Sequence, residues 1–115
     1  MKICIIGAGR WGKNHIKTAA KLGILSAVVD SNPETEAFIK ETYPNVAFYT
    51  SLQDNGALNF NACSVAVPAE YHFQIAKKLL EEKKHVLVEK PITLNSSDAK
   101  QLNELSEANN VVLMV

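Results

Sequence analysis

Three observations predict an α/β fold in which one doubly wound parallel sheet is covered by helices on both faces. Short runs of Val, Ile, Leu and Ala alternate along the chain with amphipathic stretches of helical period. The apolar runs are near-continuous, which is the pattern of strands buried on both sides rather than on one. The length of 115 residues, with 47% apolar and 21% charged, is that of a single domain with an ordinary soluble balance. Right-handed crossovers then favour about six strands in the order 3-2-1-4-5-6.

Lys2–Ile6 is the first strand and ends at Gly7. The pattern turns helical from Trp11 to about Leu22 and stops at Gly23, a residue suited to a helix C-terminus. Ile24–Val29 is the second strand and ends at Asp30. Ser31, Asn32 and Pro33 supply a cap and a first-turn proline to a helix reaching about Thr42. Val46–Tyr49 reads as a short third strand, followed by a weakly patterned segment over Thr50–Asn59. Ala62–Val67 is the fourth strand, cut off by Pro68, and Ile75, Ala76 and Leu79 form the inward stripe of the next helix. His85–Val88 is the fifth strand. Asn95 with Asp98 opens a helix carrying Ala99, Leu102 and Leu105, and Val111–Val115 is the sixth strand. Because the chain stops inside an apolar strand, it reads as a piece of a longer protein.

Composition narrows the function classes. Twelve basic residues balance twelve acidic ones, and no basic tract gives electrostatic support for nucleic acid or a membrane surface. No apolar run has the length of a membrane span, and the start has no signal-peptide pattern. Cys4 and Cys63 lie in apolar runs and read as buried, reduced thiols, in keeping with a cytoplasmic protein. The three histidines and two cysteines lack metal-ligand spacing, so no metal is expected.

The chemistry concentrates at strand ends. Gly7-Ala8-Gly9-Arg10-Trp11-Gly12 follows the first strand directly and opens a helix. Gly7 allows the sharp turn, Gly9 leaves room for a pyrophosphate against the backbone, and Gly12 allows close helix–sheet packing. An anion would then sit at a helix N-terminus, among free N–H groups. Asp30 ends the second strand, where a carboxylate can accept hydrogen bonds from adenosine ribose hydroxyls. It would repel a 2′-phosphate, and neither Ser31 nor Asn32 is the arginine that would attract one, so NAD is favoured over NADP. Arg10 and Trp11 are further candidates: Arg10 for the phosphates or for solvent, Trp11 for the cofactor or for anchoring its helix. His15, one turn further on, is expected to be structural or superficial.

Ligands of such sheets bind outside the carboxyl ends of the strands, so two more segments should line the crevice. The fourth strand delivers Val67, Pro68 and His72, with His72 expected either as a cofactor contact or as a packed helix-start residue. The fifth delivers Glu89, Lys90 and Pro91. Lys90 is the candidate catalytic group, able to bond a substrate hydroxyl, steady its oxyanion or exchange a proton. Glu89 could bond a ribose hydroxyl or temper Lys90, and an ordinary surface ion pair is the alternative. His85 begins its strand at the opposite end and has no expected role.

Taken together, the glycine turn, Val65-Ala-Val-Pro-Ala-Glu-Tyr-His72 and Val88-Glu-Lys-Pro91 resemble the glucose–fructose oxidoreductase and inositol dehydrogenase (Gfo/Idh/MocA) family over the entire chain. The resemblance implies a Rossmann NAD-binding domain over residues 1–115, and a substrate domain of the family that this chain lacks. It implies that Lys90 meets the nicotinamide and substrate, and that the Lys90–Pro91 bond is cis. Segment 9–15 also looks like members acting on nucleotide-linked sugars. The expected activity is hydride transfer between NAD and a sugar, nucleotide-sugar or polyol hydroxyl. An NAD-dependent glycosidase of the same fold, or a non-enzymatic dinucleotide sensor, remains open at this point. An exposed sixth strand would favour self-association, so a homo-oligomer is among the expected states.

Overall fold

The computed structural model describes residues 1–53 and 59–115, so the middle of the weakly patterned 50–59 segment lies outside the described residues. Six parallel strands form one sheet: β1 (Ile3–Ile6), β2 (Leu25–Val29), β3 (Ala47–Tyr49), β4 (Ala62–Val65), β5 (His85–Val88) and β6 (Leu113–Met114). Their spatial order is β3-β2-β1-β4-β5-β6, as expected. Among the described residues four α-helices connect them: α1 (Arg10–Lys21), α2 (Glu34–Thr42), α3 (His72–Glu81) and α4 (Ser96–Asn109).

The side-chain alternation of each strand feeds two cores. Ile5 and Val28 face one side, where Ile16 and Ala19 of α1 and Ile39 of α2 cover them. Cys4, Ile6, Ala27, Val29, Cys63, Val65, Val86 and Val88 face the other, under Ala76, Leu79 and Leu80 of α3 and Leu102 of α4. Both faces are therefore dry, which is why the strands read as unbroken apolar runs. Cys4 and Cys63 stand opposite each other in register and are free and buried. Burial pushes the Cys4 thiol up to about 12 and the Cys63 thiol well above its ordinary range. Among the described residues no helix is long and apolar enough to cross a membrane.

Several boundaries differ from the expected ones. The fourth strand stops at Val65, two residues short of Val67. Ala66 still donates its N–H to the Ile6 carbonyl at 2.8 Å, but the chain then turns across Gly7. The sixth strand pairs only over Leu113–Met114, the two residues in register with Val86 and Leu87. Pro33 caps α2 rather than lying inside it, and the Asn32 carboxamide oxygen accepts the Glu34 N–H at 3.0 Å. Asn95 caps α4 as expected, accepting the Asp98 N–H at 2.8 Å while its own amide donates to the Asp98 carboxylate at 3.0 Å.

Candidate functional site

The glycine turn is built by close approach. Gly7 adopts φ +95°, and a Cβ there would lie 2.5 Å from the Ala66 carbonyl oxygen. A Cβ on Gly12 would lie 1.9 Å from the Gly7 carbonyl oxygen, so α1 can start directly beneath the turn only as glycine. At Gly9, by contrast, the Cβ direction is open, with nothing within 4 Å. The first helical hydrogen bond runs from Lys13 N–H to Gly9 O at 2.9 Å. The N–H groups of Arg10, Trp11 and Gly12 thus have no acceptor within the helix, and the first turn holds no acidic residue. Room above Gly9 and free donors beneath it form a cradle for an anion.

Asp30 has a second task that spacing alone did not reveal. Its Oδ2 accepts the Ala8 N–H at 2.7 Å, and its Oδ1 accepts the Asn32 N–H at 2.8 Å. The carboxylate therefore pins the glycine turn to the end of β2. Each oxygen keeps a lone pair free for a further donor.

A cavity of about 750 Å³ opens along the carboxyl ends of the strands. This is within the roughly 300–1,000 Å³ of small-molecule sites. Gly7, Gly9, Asp30, Val67 and Pro68 line it, as expected from their strand-end positions. It is also lined by residues to which no site role was assigned from sequence: Leu52 and Gln53 after β3, Tyr71 just before α3, and Gln74, Ile75 and Lys78 on α3. The last four follow helical spacing, so extending the strand-end rule to the helix after β4 would have found them. Ile75, expected on the inward stripe alone, both packs on the core and lines the cavity.

Arg10, Trp11 and Gly12 lie outside that lining, and so do His72, Glu89 and Lys90, although the segment after β5 was expected to line the same crevice. Trp11 is 62% exposed, which removes the reading in which it anchors α1 to the sheet. His72 requires a correction. It is 1% exposed, with Nδ1 at 2.7 Å from the Pro91 carbonyl oxygen and Nε2 at 2.8 Å from that of Val67. Both ring nitrogens lie against backbone carbonyls and the ring is absent from the cavity lining, which matches the packed helix-start reading. It ties the loop after β4 to the loop after β5; a neutral ring donates to one carbonyl, an imidazolium to both.

Glu89 and Lys90 leave β5 beside this tie, and the Lys90–Pro91 peptide is cis. Lys90 is exposed. The Glu89 carboxylate accepts from His15 Nε2 at 2.7 Å through Oε1 and from the Lys90 N–H at 3.3 Å through Oε2. Chiefly, the His15 hydrogen bond holds the Glu89 carboxyl below its ordinary range, against a partial opposing effect of burial. The surface Glu–Lys pair considered from sequence is thus replaced by a His15–Glu89 pair.

Comparison with known proteins agrees with this geometry. The model of an oxidoreductase family with an NAD-binding Rossmann fold matches residues 1–115. The UDP-N-acetylglucosamine 3-dehydrogenase of Acidithiobacillus ferrooxidans is 29% identical over the full chain, which covers 36% of that protein. One solved structure of it superposes with a TM-score of 0.91 at 28% identity, over 99% of this chain and 37% of that one. An uncharacterized oxidoreductase of Schizosaccharomyces pombe is 37% identical over 82 residues, 70% of this chain and 22% of that protein. The WlbA dehydrogenase of Bordetella pertussis, solved with NADH and UDP-GlcNAcA, gives a TM-score of 0.83 at 26% identity, covering 96% of this chain and 34% of that one. The chain thus spans well under half the length of these relatives. It belongs to the Gfo/Idh/MocA oxidoreductase family, as an NAD-binding Rossmann fold.

Proposed function

We propose that this chain is the cofactor domain of a longer, cytoplasmic dehydrogenase that moves a hydride between NAD and a hydroxyl of a sugar, nucleotide sugar or polyol. The observation that carries the reading is the open cradle over Gly9, with unpaired helix N–H groups below and Asp30 at its rim. In this reading Gly7, Gly9, Gly12 and the amides of Arg10 and Trp11 seat the pyrophosphate. Asp30 accepts the ribose hydroxyls and disfavours a 2′-phosphate, and Val67 and Pro68 flank the cofactor where it crosses the sheet. The bound nicotinamide supplies the hydride acceptor.

Lys90 is then the catalytic residue of this domain: its ammonium would donate to the substrate oxygen and stabilise the alkoxide formed when a base outside this domain takes the hydroxyl proton. The hydride then leaves carbon for the cofactor. Glu89 neighbours it and orients its peptide. The substrate pocket and the remaining acid–base groups belong to the rest of the protein, as does any homo-oligomer contact. The A. ferrooxidans relative is named for its action on UDP-N-acetylglucosamine, which makes that nucleotide sugar the first probe.

The test is NADH formation by the full-length protein with UDP-N-acetylglucosamine and with simple sugars and polyols, before and after Lys90→Met. Loss of one donor to a substrate oxyanion lowers kcat by about 10²–10³-fold. NAD affinity should be retained. Undiminished turnover by the variant would remove Lys90 from the chemistry.

A further inference from the structure

His15 sits on α1, six residues after Gly9 and 74 residues before Glu89, yet its ring bridges the sheet interior to the β5 loop. On one side Nδ1 lies 2.7 Å from the Ser64 hydroxyl. On the other Nε2 lies 2.7 Å from Glu89 Oε1. Chemistry fixes the polarity of this chain of bonds. An ionised carboxylate only accepts, so Nε2 carries the proton, and in the neutral ring Nδ1 accepts from the hydroxyl.

Ser64 is 1% exposed and in register with Ile5, on the face that α1 covers. A hydroxyl left unbonded at such a site costs about 1–3 kcal/mol. The bond to His15 removes that cost and gives the imidazole a rigid anchor in the middle of β4. The anchored ring in turn fixes Glu89 Oε1, and the second oxygen of the same carboxylate accepts the Lys90 main-chain N–H at 3.3 Å.

We propose that His15 is a positioning residue: through Glu89 it holds the Lys90 main chain in one orientation at the carboxyl end of β5. Ser64, His15, Glu89 and the Lys90 amide act as one strut. Its foot is in the sheet, and its middle rides on the helix whose first turn forms the cradle over Gly9. Seating an anion at that turn and aiming Lys90 thereby share one rigid element, α1. The inference rests on the reading of Lys90 given above, and it adds a residue that touches neither cofactor nor substrate.

The experiment compares His15→Ala, His15→Gln and Ser64→Ala in the ¹⁵N-labelled full-length protein, free and with NAD. The readouts are the Lys90 amide signal, NAD affinity by calorimetry, and turnover. The expected result for His15→Ala is an upfield shift of the Lys90 amide with NAD affinity kept. Turnover should fall by about 10²-fold, the loss typical of a reacting group misplaced by an ångström. A glutamine can donate to Glu89 and accept from Ser64, so His15→Gln should recover most of both signals. Ser64→Ala, which leaves α1 intact, should broaden the Lys90 amide and keeps the test decisive where His15→Ala does not fold. A Lys90 amide unshifted in His15→Ala or unbroadened in Ser64→Ala, or a His15→Gln no better than alanine, would overturn the proposal. Full turnover by Lys90→Met would instead sink the role of Lys90, while the amide shifts would still report the strut.

Discussion

At Gly12 an added methyl group would lie 1.9 Å from a backbone oxygen, whereas at Gly9 it would meet nothing within 4 Å. The two positions therefore separate folding from binding. Gly12→Ala should cost roughly 1–3 kcal/mol by overpacking, seen as a lowered Tm. Gly9→Ala should stay within about 0.5 kcal/mol of wild type and yet weaken NAD in a calorimetric titration. Equal Tm values for the two variants would contradict this assignment. Glu89 gives a pH-dependent test. Its carboxyl titrates below its ordinary value of 4.5 when folded, principally because His15 donates to it. The sign follows from linkage: its contribution to stability is present above that ordinary value and is lost as pH falls through the lowered folded value. Carbon-detected NMR should find the Glu89 midpoint below 4.5 and returned upward in His15→Ala. The glycine turn and Asp30 were legible in the sequence because their spacing is local. The His15–Glu89 pair was not, since 74 residues separate the partners and only the topology brings them together. His72 was ambiguous for the same reason: its helix stripe showed that it packs, not that two loop carbonyls claim its nitrogens.

Three helices end by one device. After α1 the Gly23 N–H bonds the Ala20 carbonyl and the Ile24 N–H that of Ala19, with Gly23 at φ +71°. After α3 the same pair of bonds runs from Lys83 and Lys84, and after α4 from Asn110 and Val111. The residue in the left-handed conformation is thus glycine, lysine and asparagine in turn, at φ +71°, +58° and +54°. Lysine is the one poorly suited to it. Relief of about 1–2 kcal/mol on removing its Cβ exceeds the about 0.4–1 kcal/mol of added unfolded-state entropy. Lys83→Gly should therefore raise stability by roughly 0.5–1 kcal/mol in a denaturant titration, the balance of those two effects. A lower midpoint would show that the Lys83 side chain contributes more than its backbone costs. Gly23 announced its helix end in the sequence, but the α3 end carried no such signal, because nothing in Lys83 itself favours that conformation. Strand ends were legible only to within two residues. Val67 is as apolar as Val65, and what stops β4 is the Gly7 turn, on which Ala66 and Val67 pack.

Across the whole molecule, the strand order follows from alternating runs and right-handed crossovers, and each run was readable because both sheet faces are covered. The same topology gathers the ends of β1, β2 and β4, with the loop after β3 and one face of α3, around a single crevice. The loop and helix contributions were missed because they carry no motif, only position. Lys90 stands where β5 delivers it, tied through Glu89 to α1 and flanked by the His72 link between two loops. In the proposed function this crevice holds NAD at the Gly7–Gly12 turn with Asp30 on the ribose. Calorimetric titration of the chain with NAD and with NADP tests it most directly. One NAD bound per chain is expected, with NADP binding more weakly. Absence of heat for either cofactor at millimolar concentration, or tighter binding of NADP, would contradict it.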